Sequence, residues 1–145
     1  HTIVAIGNSK YNQLYSNIKN LNKLLAWGHA RAIENVLEKQ PCEYALSDKF
    51  GDEKLIKAAL MKNAQNIKLE QMVRAESDIA VAAASIVARA EFVNRMEKMS
   101  QEYGVTFPKG CSTQVKDAAK VFIEKYGKER LCEVSKTHFK TYNEV

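Results

Sequence analysis

Glu43-Tyr44-Ala45-Leu46-Ser47-Asp48 is a short run of strand-forming residues set between two helical patterns, and it ends on an acid. It follows Pro41, which cannot continue a helix, and precedes Gly51-Asp52, which opens the next one. Upstream, Leu21, Leu24, Leu25, Ile33, Val36 and Leu37 recur at helical spacing to about Lys39, and Tyr11, Leu14, Tyr15 and Ile18 mark a helix before that. Downstream, a short helix reaches about Met61, and Ile67 to Val73 alternates apolar and polar side chains as a half-exposed strand does. Thr2-Ile3-Val4-Ala5-Ile6, β-branched and apolar on both faces, predicts a buried strand ended by Gly7-Asn8-Ser9. Strands alternating with helices predict an α/β domain with a largely parallel sheet.

From Glu76 a long helix is predicted to about Gln101, through Ile79-Ala80-Val81-Ala82-Ala83-Ala84-Ser85-Ile86-Val87-Ala88, whose small residues would let it lie close to a sheet. Phe107-Pro108-Lys109-Gly110 is a loop. Val115, Ala119, Phe122 and Ile123 mark a further helix that Gly127 closes, and a last short helix spans about Lys128 to Ser135. The second half is therefore rich in helix and poor in strand.

The 145 residues are 46% hydrophobic and 27% charged, with six glycines and two prolines, a profile that excludes disordered and fibrous chains. The longest uncharged apolar stretch, Ile79 to Ala88, is far shorter than the roughly 20 residues of a membrane span, so no membrane association is expected. The start lacks the charged, apolar and small-residue pattern of an export signal. Cys42, Cys111 and Cys132 are odd in number and form no CxxC, which argues against a disulfide framework and a zinc site and fits a reducing, cytoplasmic setting. The net charge is +5, and residues 1–33 hold Lys10, Lys19, Lys23 and Arg31 but no acid, which makes a polyanion such as nucleic acid a reasonable partner.

Two acids stand where ligands are bound in such folds. Asp48 would sit at the carboxyl end of a strand, where open α/β sheets place their ligands, although an aspartate there can also cap the following helix. Glu76 would sit in the first turn of the long helix, a position the helix dipole favours for any carboxylate, and Asp78 competes with it two residues on. Together they offer hard oxygen donors suited to Mg²⁺ or Mn²⁺. Phosphodiester hydrolysis on two such ions needs more carboxylates than these. Lys109, between a rigid proline and a flexible glycine, could present an amine and backbone N–H groups to phosphate, or simply turn the chain. Lys136 and His138, in Lys136-Thr137-His138-Phe139-Lys140, offer phosphate contacts or a solvated end. His29, in Trp27-Gly28-His29-Ala30-Arg31, reads as a packing histidine ahead of a ligand.

Leu25-Ala26-Trp27-Gly28-His29-Ala30-Arg31-Ala32-Ile33-Glu34-Asn35, Ser47-Asp48-Lys49-Phe50, Ala75-Glu76-Ser77, Val81 to Arg89, Phe107-Pro108-Lys109-Gly110 and Lys136-Thr137-His138-Phe139 occur in one order. Together they resemble the C-terminal part of a bacterial type 2 ribonuclease H, most similar to ribonuclease HIII. The resemblance implies a ribonuclease H-like fold and an endonuclease that cuts the RNA strand of RNA–DNA hybrids with Mg²⁺ or Mn²⁺, leaving 5′-phosphate and 3′-hydroxyl ends. It implies four acids: an Asp-Glu pair on a first strand, an aspartate after a central strand, matched by Asp48, and a fourth matched by Glu76, with Asp78 as second choice. Lys109, Lys136 and His138 become the expected nucleic-acid contacts.

The Asp-Glu pair, its surrounding strands and a separate substrate-binding domain have no counterpart in residues 1–145. The chain is therefore expected to be the C-terminal part of a catalytic domain with an incomplete sheet, inactive by itself, otherwise a monomer, and partnered by the N-terminal part of the same protein. The competing expectations are a non-catalytic nucleic-acid-binding module and a helical interaction scaffold.

Overall fold

A computed structural model describes all residues, 1–145. In chain order the elements are α1 (Asn8–Ile18), α2 (Leu21–Leu37), β1 (Tyr44–Asp48), α3 (Lys54–Ala59), β2 (Lys68–Met72), α4 (Ile79–Tyr103), α5 (Thr113–Tyr126) and α6 (Lys140–Asn143). Three 3₁₀ turns, Lys62–Ala64, Ala75–Ser77 and Lys128–Glu133, complete the order. The class is α/β with a helix-rich second half, as the alternation of patterns predicts. No helix is long and apolar enough to cross a membrane.

The chain forms two compact units. The first, His1–Ala5 with Ile18–Ala88, holds the sheet. β1 and β2 pair in parallel, in a register running from Tyr44 opposite Lys68 to Asp48 opposite Met72. Parallel strands need a crossover, and α3 supplies it. The core gathers Leu24, Ala26 and Ala30 of α2, Ile56 of α3, Ala64 and Ala75, all at most 2% exposed. Asn20 opens α2 by accepting the Lys23 N–H on its side-chain oxygen at 3.0 Å. Glu34 follows Ala26 and Ala30 at four-residue steps and shares their buried face. Its carboxylate accepts the N–H groups of Asn63 (2.9 and 3.1 Å) and Ala64 (3.1 Å), which compensates its burial and holds the Lys62–Ala64 turn to α2.

The second unit comprises Ile6–Asn17 and Arg89–Val145. Phe122 is its centre, fully buried, with Tyr103, Tyr126 and Phe107 around it at ring centroid distances of 5.3, 5.0 and 6.0 Å. Gly127, at φ +86°, ends α5 in a conformation that a side chain would disfavour. Asn12 of α1 donates to the carbonyls of Cys132 (3.0 Å) and Ser135 (2.9 Å) and accepts the Thr137 N–H (3.1 Å), so one amide fixes the path of the chain before His138.

Three sequence expectations change. Thr2–Ile6 does not form a buried strand: the sheet consists of β1 and β2 alone, so this segment has no ladder partner, and Ile3 is 42% exposed. The long helix starts at Ile79 rather than Glu76, because Arg74 takes a left-handed conformation (φ +58°) and Ala75–Ser77 closes as a separate 3₁₀ turn. Its small-residue face does not lie buried against a sheet. α4 has no buried residue, and Ile79 and Ile86 are 87% and 71% exposed, an uncovered apolar surface of the kind that marks an interaction site.

Candidate active site

Asp48 is the last residue of β1, and its position is fixed from two sides. The N–H of Lys49 donates to the carbonyl of Met72 at 3.1 Å, prolonging the ladder by one bond past Asp48. The N–H of Ala75 donates to Asp48 Oδ1 at 3.3 Å. Because the strands are parallel, both end at the same edge of the sheet, and the Arg74 turn brings the chain leaving β2 back to Asp48. Glu76 follows Ala75 directly, one residue on from the N–H that Asp48 accepts. Its own carboxylate is exposed and takes part in no hydrogen bond or ion pair within the chain.

Asp78, the other candidate, has different work. It sits in extended conformation (φ −80°, ψ 132°), and its Oδ1 accepts the N–H groups of Ala80 (2.8 Å) and Val81 (3.3 Å), which makes it the N-cap of α4. Glu76 is left with both oxygens available and Asp78 is not.

His29 of α2 borders Asp48. Its ring lies 4.9 Å from that of Phe50, two residues beyond Asp48, in agreement with a packing role. Burial pulls the imidazole pKa below its ordinary value, and the Asp48 charge pulls it part of the way back. Asp48 and Glu76 are hard oxygen donors suited to Mg²⁺ or Mn²⁺, but no three His, Cys, Asp or Glu side chains converge within reach of one ion. Two carboxylates are fewer donors than a hard divalent ion takes, so any ion held here needs further oxygen ligands.

The other predicted residues belong to the second unit. Lys109 is exposed on the Phe107–Gly110 loop, which starts where Phe107 N–H donates to Ser100 Oγ at 3.1 Å and ends on Gly110 at φ +97°. The Lys136 ammonium is exposed and lies 4.6 Å from the centre of the Tyr11 ring. His138 is stacked on Tyr15 at 4.0 Å and flanked by Phe139 at 4.1 Å and Tyr11 at 5.6 Å. Both ring nitrogens are buried without a hydrogen-bond partner, so in this conformation His138 shapes the loop that carries Lys136 and offers phosphate no N–H.

Burial, and then the Lys136 charge, lower the His138 pKa. The unfolded chain therefore takes up a proton near the ordinary histidine value of about 6.5 while the folded chain resists it. Stability is expected to be full above that pH and to fall as the pH drops through and below it. Melting curves at pH 7.5 and 5.5 should show a smaller loss for His138→Phe, which keeps the stack and removes the proton site; an equal loss in both proteins would detach the effect from His138. His29 contributes with the same sign, so the variant retains part of the dependence.

The pattern of the ribonuclease HII family matches residues 1–142. The chain belongs to that family. Among curated members, the ribonuclease HIII of Protochlamydia amoebophila is 44% identical over 143 residues, 99% of this chain and 48% of the relative. Among solved structures, Bst-RNase HIII in complex with Mn²⁺ superposes with a TM-score of 0.87 at 29% identity, over 97% of this chain and 47% of the other. The RNase H3 of Aquifex aeolicus gives 0.61 at 32% identity, over 79% and 42%. The fold is ribonuclease H-like, and the chain spans about half the length of the relatives it matches.

Proposed function

We propose that this chain is the C-terminal part of the catalytic domain of a ribonuclease HIII-type endonuclease, which acts in the bacterial cytoplasm as a monomer and hydrolyses the RNA strand of RNA–DNA hybrids. The observation that carries the reading is the Asp48 carboxylate at the carboxyl edge of the sheet, accepting the N–H of Ala75, with the exposed, unpaired Glu76 on the following residue. The relative that superposes at 0.87 was solved with Mn²⁺, an ion whose preference for oxygen donors suits this pair. Asp48 and Glu76 would hold Mg²⁺ or Mn²⁺; when bound, such ions activate water and stabilise the departing oxygen of the phosphodiester. Lys109 and Lys136 meet backbone phosphates, and His138 supports the Lys136 contact without touching phosphate itself, by shaping the loop that carries Lys136.

Two acids leave such a site short of ligands, and the exposed Ile79 and Ile86 leave α4 short of cover. Both needs are met by an N-terminal part of the same protein, consistent with relatives about twice as long. That part supplies the Asp-Glu pair, the strands over α4 and the substrate-binding domain. The test combines the 145-residue chain with a separately produced N-terminal segment of the Protochlamydia amoebophila relative and follows cleavage of a labelled RNA–DNA hybrid in Mn²⁺. Cleavage is expected from the mixture and not from either piece. Full cleavage by the chain alone overturns its incompleteness, and a complex of the two pieces that binds hybrid without cutting it overturns the nuclease reading in favour of a binding module.

A further inference from the structure

Beside Asp48, the loop after β1 and helix α3 border an open hollow of about 450 Å³, lined by Lys49, Asp52, Glu53, Lys54 and Lys57. Both acids are already engaged. Asp52 Oδ1 accepts the backbone N–H of Lys54 at 2.9 Å, and Glu53 Oε1 pairs with Lys49 Nζ at 3.0 Å. Lys54 and Lys57 have no carboxylate within ion-pair distance. Three residues apart on one helix, they share a face, while Ile56 between them is fully buried and anchors α3 to the core. The wall is braced where Gln71 Nε2 donates to the Glu53 carbonyl at 2.8 Å. The Lys49–Glu53 pair is exposed on both sides, at 42% and 49%, and a pair of this kind exchanges readily for a stronger anion.

We propose that this hollow is a phosphate-binding subsite for the nucleic-acid strand next to the position cut at Asp48, with Lys54 and Lys57 as its contacts and Lys49 leaving Glu53 to join them. The inference rests on the nuclease reading for its ligand. Mobile, exposed ammonium groups with no buried donor among them recognise charge rather than base edges, so the occupant is sugar-phosphate backbone, held without regard to sequence. Lys49, which lines the hollow, is the residue after Asp48, so the hollow opens at the same end of β1 as the Asp48 carboxylate.

The 145-residue chain is titrated into a fluorescein-labelled RNA–DNA hybrid in EDTA at several NaCl concentrations, with anisotropy as the readout. Lys54→Gln/Lys57→Gln is expected to lower the slope of log K against log salt by about two, roughly one for each phosphate no longer neutralised, with an unchanged melting curve because both side chains are exposed. Lys98→Gln/Lys120→Gln, which removes the same charge elsewhere, should leave the slope in place. Equal slopes in the two double variants, or no salt-dependent binding by the parent chain, overturn the subsite. The metal reading is judged separately by Mn²⁺ calorimetry, which these lysines do not enter.

Discussion

Replacing Asp48 by asparagine, in the chain combined with its N-terminal complement, is expected to cut hybrid cleavage by orders of magnitude and to leave folding within about 0.5 kcal/mol of the parent, as for an exposed site whose contacts persist. Asparagine has the shape of aspartate, and its amide oxygen can still accept the Ala75 N–H that now bonds Oδ1 at 3.3 Å. What disappears is the negative charge, and a neutral amide is a far weaker ligand for a hard divalent ion. Mn²⁺ calorimetry on the 145-residue chain should show binding lost in Asp48→Asn and in Glu76→Gln. Asp78→Asn should retain it, since asparagine caps a helix as well as aspartate does. Near-parental cleavage by Asp48→Asn removes Asp48 from the site. Loss of Mn²⁺ binding in Asp78→Asn, with Glu76→Gln unaffected, would assign the second acid to Asp78 instead.

The choice between Glu76 and Asp78 marks how far local sequence reaches. A strand ending on Asp48 is legible because Pro41 and Gly51 bracket it and its side chains favour extended backbone. The start of α4 is not, because it depends on Arg74 entering a left-handed conformation that its side chain does not signal. Once Arg74 turns, Asp78 becomes the cap and Glu76 is released. Thr2–Ile6 shows the reverse error: its composition announces burial, but a strand exists only where a second strand receives its hydrogen bonds. His138 stands in a basic stretch of sequence, yet its surroundings come from Tyr11 and Tyr15, far away along the chain. Glu34 does leave a local trace, an acid in register with Ala26 and Ala30, and an acid on an apolar face signals a partner supplied from elsewhere in the fold.

Phe122→Ala is expected to cost about 3–5 kcal/mol, the range for deleting a fully buried aromatic ring. Phe122 is wholly enclosed, and the rings of Tyr103, Tyr126 and Phe107 meet it tilted or edge-on, so its removal leaves a cavity and strips all three of their central ring. The neighbours cannot close the gap freely. Tyr126 donates its hydroxyl to the Tyr103 carbonyl at 2.8 Å, and Tyr103 donates its own to Glu133 Oε2 at 3.0 Å. Moving either ring inward breaks a bond that links α4 to α5 or to the Lys128–Glu133 turn. Against a total stability of about 5–15 kcal/mol for a domain, such a loss leaves the second unit close to unfolding. Urea denaturation followed by circular dichroism should show the drop, with Phe122→Leu keeping more of the stability because it fills more of the space. A cost below about 1 kcal/mol for Phe122→Ala would mean that the aromatic cluster does not hold this unit together. The metal reading would survive that result, because Asp48 and Glu76 stand on the other unit and owe their positions to β1, β2 and the Ala75 N–H.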